Sequence, residues 1–262
     1  MKYLCTHRGE TMRKIQLLIL HLLLPSLLFS QTGPEIAHMM DQRKQPKDMT
    51  SRTTMILTNS RGKTRTSTIF SQLIDGGRMQ ILWFLAPADD KGVAFLKIEH
   101  DDKDDEMRMW LPAFKKVRRI SSKKKGDSFM GSDLSYEDMT SRELEENKFA
   151  RLDDDVVDKK ECYVLEVTPK PDAKSTYSKH TTWVEKTTLL PLKEESYDRK
   201  GNLKKTKVFN TGRMGNYNIM TGIVVRDVQK EHTTRVTFDQ IQLDTGLQES
   251  LFQQKNLKRM PR

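Results

Sequence analysis

The chain has 262 residues, of which 35% are hydrophobic and 31% charged, and its formal net charge is +10 at pH 7. Its content of Ile, Leu, Val and Phe is high enough to build a core and to exclude general disorder, and its length suits one large β domain. A basic chain first suggests nucleic acid as a partner, but the targeting segment at its start argues against that partner.

A targeting signal stands near the N-terminus. Arg13 and Lys14 precede an apolar run over residues 15–29, which is followed by small and polar residues. This order of charge, apolar core and polar exit is typical of a secretory signal peptide, and the run is short for the alternative, a membrane anchor. We therefore predict a cleaved signal peptide over residues 1–30 and export of the mature chain.

The predicted mature chain is a single domain over residues 31–262, and Met12 is the more natural start of the signal. Removing residues 1–30 leaves 42 basic and 35 acidic residues, a formal charge of +7. Cys162 is then the remaining cysteine, so we expect no intramolecular disulfide. Anionic lipid headgroups or an acidic protein surface fit this charge and location better than nucleic acid.

The first predicted element is a short helix. Thr32 supplies a capping hydroxyl, Pro34 suits an early helical position, and Ile36, Met39 and Met40 follow at helical spacing. The apolar stripe is compatible with packing on a sheet and with an adaptable binding surface, and both interpretations stay open.

From residue 51 the apolar pattern changes to period two, with turn signals between the segments. A helical or irregular insert at about 129–150 interrupts the series. The short connections predict an antiparallel meander rather than a parallel α/β fold. The predicted strands are 51–59, 64–74, 79–85, 93–100, 106–111, 115–121, 161–168, 179–186, 189–198, 203–211, 217–228 and 232–243.

The strand at 79–85 is apolar on both faces. Ile81 and Trp83 point one way, whereas Leu82 and Phe84 point the other. Both faces must therefore be covered, as in a curved sheet with a helical lid over a cavity.

Two features are predicted near the C-terminus. In 232–243 the apolar period slips by one residue, which predicts a β-bulge near Asp239–Gln240. The basic tail at 255–262 is expected to be loosely held.

Catalytic and metal-binding patterns are missing from the sequence after residue 30. Ser132 is not in a Gly-x-Ser-x-Gly elbow, Cys162 lies in an apolar strand pattern, and Gly126 and Gly131 lack the lysine of a phosphate loop. The acidic run 101–106 lacks the ligand order of a calcium loop and indicates a solvated turn. We predict a protein that is not an enzyme and has no cofactor. No zinc-binding spacing involves His38, His100, His180 or His232.

A basic run at 115–125 contains seven Lys and Arg residues. Strand geometry places Arg118 on one face and Arg119 on the other. Either the run is a solvated edge strand protected by its charge, or one of these arginines reaches an apolar cavity to contact a lid carbonyl or a lipid headgroup.

Three segments in this order carry a family resemblance: FLAPADDKGVAFL at 84–96, MWLPAFKKVRRI at 109–120 and SFMGSDLSYED at 128–138. They resemble the outer membrane lipoprotein-sorting protein family, which is similar in fold to the carrier LolA and its receptor LolB. The resemblance implies a mainly β fold, a curved antiparallel sheet forming an incomplete β-barrel with short helices plugging the concave face.

The resemblance also implies a function, a periplasmic carrier or chaperone that binds a lipid or lipoprotein acyl chain for transport toward the outer membrane. The partners would be that lipid or lipoprotein acyl chain and either an outer-membrane receptor or an inner-membrane exporter. The alternative is an adaptor of an exporter of the resistance-nodulation-division type that carries nothing. For the carrier we predict lid or headgroup contacts from Arg118 and Arg119, and a cavity lined by Trp83, Phe84, Phe95, Met109, Trp110, Phe129, Met130 and Trp183.

Overall fold

The computed structural model describes residues 31–260, so the predicted signal peptide lies outside the described residues. Within this range one α-helix, α1 (Gly33–Asp41), precedes the strands. Thr32 and Glu35 form a capping box at its start and Pro34 occupies the first turn, which confirms the predicted helix. The buried Ile36 packs against Leu165, so the apolar stripe serves as core packing on a sheet.

Thirteen strands make up most of residues 31–260. They are β1 (Asp48–Thr58), β2 (Thr64–Ile74), β3 (Met79–Ala86), β4 (Ala94–Ile98), β5 (Glu106–Leu111), β6 (Lys116–Ile120), β7 (Asn147–Val157), β8 (Lys160–Pro169), β9 (Tyr177–Glu185), β10 (Pro191–Asp198), β11 (Leu203–Met214), β12 (Tyr217–Asp227) and β13 (His232–Leu243). Short 3₁₀ turns punctuate the connections at Asp75–Gly77, Pro112–Phe114, Ser122–Lys124, Glu137–Met139, Pro171–Ala173, Glu249–Leu251 and Gln254–Lys258.

All thirteen strands of the described range belong to one antiparallel sheet, in the order β6-β5-β4-β3-β2-β1-β13-β12-β11-β10-β9-β8-β7. Apart from β6 and β7, strands that are neighbours in sequence are neighbours in the sheet, and β1 pairs with β13. Strands β6 and β7 are the two edges and do not pair with each other, so the sheet is curved but not closed into a barrel. The predicted fold class is confirmed.

Residues 121–146, which we call the plug, connect these two edges and show how strongly the sheet curves. The Ser141 amide donates to Glu99, directly after β4 (3.0 Å), while the adjacent Arg142 donates to Glu194 in β10 (2.6 Å). Seven steps separate β4 from β10 in the sheet order, which would place them about 34 Å apart in a flat sheet. We call the face covered by the plug, which is concave, the inner face.

Strand β3 is covered on both faces, as its sequence predicted. Ile81 and Trp83 pack on the outer face against the C-terminal 3₁₀ turns, through the buried Phe252 and Leu257. The Trp83 indole also donates to the Leu257 carbonyl (3.2 Å). The expectation of a loosely held tail is therefore wrong for residues 255–258, because Leu257 is only 1% exposed.

The predicted bulge in the last strand is confirmed. Thr50 pairs with Gln242 but Arg52 pairs with Asp239, so β13 has one extra residue at this point, where Gln240 has a positive φ.

One strand, β7, was not predicted, because its residues 147–157 carry few apolar side chains. Its burial pattern is mostly exposed and it is an edge strand, so it needs no apolar alternation. The irregular insert consequently ends at residue 146. No helix within residues 31–260 has the length and hydrophobicity needed to cross a membrane.

Candidate functional site: the inner face and its plug

The largest apolar cluster of the inner face lies beneath the plug. Phe129 of the plug is 2% exposed and meets Phe95 of β4 edge-on, with ring centroids 5.2 Å apart. Tyr136, also from the plug, packs on both rings at 5.9 Å. A loop with two aromatic side chains, rather than another layer of strands, therefore fills the middle of the concave face.

The strand pairing separates the predicted cavity residues into two groups. Phe84, Phe95 and Met109 belong to the sheet wall of this apolar cluster, and Phe129 and Met130 belong to the plug that covers it. The structure thus brings five of the eight predicted residues together.

The three tryptophans lie on the outer face. Trp83 and Trp110 pack in the separate cluster beneath the C-terminal turns. Trp183 lies on the other half of the sheet, where its indole donates to Asp155 (2.8 Å) and Lys193 stands over its ring.

Arg118 and Arg119 also face opposite ways. Arg118 pairs with Met109, in the same inner row as Phe95, whereas Arg119 pairs with Arg108 on the outer face. Both arginines are exposed. Arg118 therefore stands at the rim of the inner face, on the edge strand β6. Burial raises the pKa of the Tyr136 hydroxyl, and the nearby positive charge of Arg118 offsets part of this rise.

Beside the apolar cluster, the inner face becomes charged. The buried Asp138 of the plug accepts from Lys205 (2.7 Å) and Lys207 (2.6 Å), which are neighbours on the inner face of β11. Its carboxylate also accepts from the Tyr177 hydroxyl (2.9 Å) and from the Ser135 amide and hydroxyl. Burial alone would raise the pKa of Asp138, but the two ammonium groups outweigh it and hold the pKa far below the usual range.

A second carboxylate, Glu194 of β10, continues this charged zone. Arg142 of the plug binds both of its oxygens (2.6 and 2.8 Å), and Lys207 donates to it as well (2.9 Å). Burial would raise the pKa of Glu194, but Arg142 and Lys207 lower it well below its ordinary value. We call Asp138, Arg142, His180, Glu194, Lys205 and Lys207 the ionic cluster.

His180 is the buried imidazole of the ionic cluster. Its Nδ1 lies 2.9 Å from the Ser196 hydroxyl and 3.3 Å from the Arg142 guanidinium, which can only donate. Burial, helped by the charge of Arg142, lowers the pKa of His180 to about 3, so the ring is neutral at physiological pH.

A cleft of about 680 Å³ is lined by the β4–β5 turn, the end of β6, the plug and the turn after β8. Met107 and Ile120 of the apolar cluster reach its wall, and its rim is rich in carboxylates. Burial raises the pKa of two of them, Asp105 and Glu143. The cleft joins solvent to the apolar inner face. Among residues 31–260, no group of three or more His, Cys, Asp or Glu side chains has an arrangement that could hold a metal.

Comparisons with known proteins agree with this geometry. A family model described as an uncharacterized protein matches residues 76–259. A crystal structure named as an outer membrane lipoprotein-sorting protein domain from Vibrio parahaemolyticus is 33% identical, covers 87% of this chain and 98% of its own, and has a TM-score of 0.82. A DUF1329 family protein from Desulfovibrio piger is 31% identical, with 86% and 97% covered and a TM-score of 0.81.

A LolA superfamily protein from Nitrosomonas europaea is 19% identical, with 86% of this chain and 99% of that chain covered and a TM-score of 0.68, and shows the shared fold. No curated protein matches the chain. The curved open sheet with a plugged inner face is thus a fold shared with a lipoprotein-sorting protein domain and with a LolA superfamily protein. The chain belongs to the outer membrane lipoprotein-sorting protein family.

The ionic cluster was not predicted from the sequence. One signal was present, since Lys205 and Lys207 alternate in a strand pattern whose next inner position is the apolar Phe209. Charged residues in the inward phase of a strand indicate buried pairing. Their partners Asp138 and Glu194 are 67 and 13 residues away in the sequence, so the pattern alone does not identify them.

Proposed function

We propose that the protein is a non-enzymatic periplasmic carrier that shelters a lipid or lipoprotein acyl chain on the inner face of its sheet during transport toward the outer membrane. The predicted signal peptide and the membership in the lipoprotein-sorting family support the location. The observation that carries the proposal is the large apolar cluster on the concave face, which the plug covers.

The energetics favour an apolar chain in this place. Each methylene group removed from water contributes about 0.8 kcal/mol. Phe129 and Tyr136 are the aromatic side chains of the plug on the apolar cluster. An acyl chain that takes the place of Phe129 and Tyr136 keeps Phe95 and the rest of the sheet wall buried.

In this proposal Phe84, Phe95 and Met109 form the wall that contacts the chain, and Phe129 and Met130 move away with the plug. The ligand enters through the cleft of about 680 Å³, where Met107 and Ile120 are the first apolar residues it meets. The three tryptophans lie on the outer face and take no part, and Arg119 also points away from the site.

The first test is to purify the mature protein from its own host, extract it with organic solvent and analyse the extract by mass spectrometry. We expect a stoichiometric amphiphile with a long acyl chain. If no lipid co-purifies and the delipidated protein binds no fluorescent fatty-acid probe, the carrier is ruled out and the non-carrying adaptor becomes the better description.

The second test locates the site with two matched variants. Phe129 and Phe252 are both 2% exposed and cover opposite faces of the sheet. Phe129→Ala should raise the affinity for a fatty-acid probe at least several-fold, because it removes the group that competes with the chain, while unfolding becomes easier by about 3–5 kcal/mol.

Phe252→Ala should destabilise the fold similarly and leave probe affinity unchanged. Equal affinities in the two variants would show that the inner face is not the binding site.

A further inference from the structure

The Asp138 carboxylate sits in the ionic cluster as a bound anion would. Its two oxygens accept from Lys205, Lys207, Tyr177 and Ser135, and the side chain is 1% exposed. These donors come from β11, from β9 and from the plug itself. The sheet therefore offers a preformed anion site on its inner face, which the plug fills with its own carboxylate.

The charge of the site is unbalanced once Asp138 leaves. With Asp138 in place, Arg142, Lys205 and Lys207 face two carboxylates. Without it, three cations face Glu194 alone. Among the described residues, Asp138 is the carboxylate that pairs with Lys205. A buried ammonium group that loses its partner is strongly destabilised, so opening the plug is favourable only when another anion arrives.

Asp138 and the aromatic residues of the plug cannot move independently. Tyr136 lies two residues before Asp138, and its amide is bonded within the plug to the Asp127 carbonyl. An acyl chain that displaces Phe129 and Tyr136 from the apolar cluster therefore also draws the Asp138 carboxylate away from the two lysines of β11. The apolar site and the anion site are therefore vacated together.

There is room for a group larger than a carboxylate. A cavity of about 50 Å³ adjoins Asp138 and is lined by Arg142, Tyr177 and His180 among others. A phosphate monoester carries about −1.5 to −2 charge at pH 7 and three acceptor oxygens, which matches the net positive charge that the loss of Asp138 leaves.

We propose that the ligand is an anionic amphiphile whose phosphate head replaces the Asp138 carboxylate between Lys205 and Lys207 while its chain occupies the apolar inner face. This inference rests on the proposed carrier function and specifies the chemical class of its cargo. The headgroup is recognised by charge-assisted hydrogen bonds, and the chain by burial.

The test compares two amphiphiles that have the same dodecyl chain, dodecyl phosphate and dodecyl maltoside, each below its critical micelle concentration. Inorganic phosphate serves as the free anion. We expect the delipidated protein to bind dodecyl phosphate at least tenfold more tightly than dodecyl maltoside by isothermal titration calorimetry. Inorganic phosphate should bind far more weakly than either amphiphile.

Two variants test whether the phosphate headgroup binds at the position of the Asp138 carboxylate. The neutral double variant Asp138→Asn with Lys205→Gln should lose the preference for dodecyl phosphate. The single variant Asp138→Asn, which keeps both lysines and removes the internal competitor, should increase that preference at least tenfold and covers the case in which the double variant does not fold. The matched control is Glu166→Gln with Lys179→Gln, an ion pair on the outer face of β8 and β9, which should bind as the wild type does.

Equal binding of the two amphiphiles by the wild type, or a phosphate preference that survives in the double variant, would overturn the headgroup site and leave the carrier proposal standing. Inorganic phosphate binding as tightly as dodecyl phosphate would show an anion site unconnected with a chain. If neither amphiphile binds, the carrier proposal itself fails.

Discussion

At the scale of single residues, the ionic cluster combines strong stabilisation with one group of unusual protonation. Asp138 and Glu194 have pKa values far below their ordinary range, so they stay ionised, and their stabilising effect is present above about pH 4 and lost at lower pH. His180 behaves differently because it is buried as a neutral ring beside Arg142, with its pKa lowered to about 3.

The His180 ring makes stability depend on pH at higher pH values than Asp138 and Glu194 do. Below about pH 6.5 the unfolded chain protonates this histidine and the folded chain does not, so the free energy of unfolding falls as pH falls. The expected slope from this group is about 1.4 kcal/mol per pH unit between pH 6 and 4.5.

Urea unfolding at several pH values measures this slope, and His180→Gln should remove it. The exposed His38 provides the control variant, His38→Gln, which should keep the wild-type slope. A slope that is the same in wild type and His180→Gln would mean that His180 is protonated in the folded protein.

At the scale of elements, the plug is attached to the sheet by contacts that a ligand can replace. Several of its amides are satisfied within the plug, as for Phe129 with the Leu134 carbonyl (2.7 Å), and others by side chains outside it, as for Asp133 with the Thr234 hydroxyl (2.8 Å) and Ser141 with the Glu99 carboxylate (3.0 Å). No residue of the plug between 121 and 146 belongs to a strand of the described sheet. The plug can therefore open without breaking the strand ladder.

Hydrogen exchange should detect this opening. Adding dodecyl phosphate should speed the exchange of amides in 129–139 by at least tenfold, because the plug leaves the inner face, while the amides of α1 keep their rates. Amides of 129–139 that stay equally protected at saturating ligand would show that the chain binds without displacing the plug.

The docking of α1 depends on a glycine. A Cβ atom on Gly33 would lie 2.5 Å from the Phe149 carbonyl oxygen and 2.9 Å from the Arg151 amide nitrogen, both backbone atoms of β7. Gly33→Ala should therefore destabilise the protein by about 1–3 kcal/mol through overpacking, as measured by thermal or urea unfolding.

The exposed Gln42 at the other end of α1 is the control, and Gln42→Ala should change stability by less than about 0.5 kcal/mol. A stable Gly33→Ala protein would show that α1 can shift away from β7 at no cost.

At the scale of the whole molecule, ligand binding and folding are linked because the inner face exists only when the sheet curves. Adjacent plug residues contact β10 and the end of β4, so the plug ties the two halves of the sheet together. A ligand that replaces the plug contacts must itself span part of this concave face. It binds the folded chain and not the unfolded one.

The linkage between binding and folding determines how much a ligand stabilises the folded protein. Dodecyl phosphate at 100 times its dissociation constant should raise the free energy of unfolding by about 2.7 kcal/mol, which for a domain of this size raises the melting temperature by several degrees. Inorganic phosphate at the same concentration should leave the melting curve unchanged. Equal shifts with both compounds would point to non-specific ionic stabilisation.

Much of the fold was predictable because strands and turns follow from local sequence. The period-two pattern identified the strands other than β7, the two-sided burial of β3 followed from its uninterrupted apolar run, and the capping hydroxyl of α1 was visible at Thr32. The slip in the apolar pattern of β13 located the bulge near Gln240. Each of these signals acts between residues that are a few positions apart.

The candidate site could be predicted only in part, because its composition depends on which strands face each other. By itself the sequence determined the strands, the turns, the helix cap and the alternation that places Phe84 and Trp83 on opposite faces. Only the tertiary structure decided that Phe84 faces the plug, that Leu257 covers Trp83, and that Asp138 meets Lys205 and Lys207. The physical reason is that these contacts arise from the curvature of the sheet, which brings together strands far apart in the chain and which no local pattern encodes.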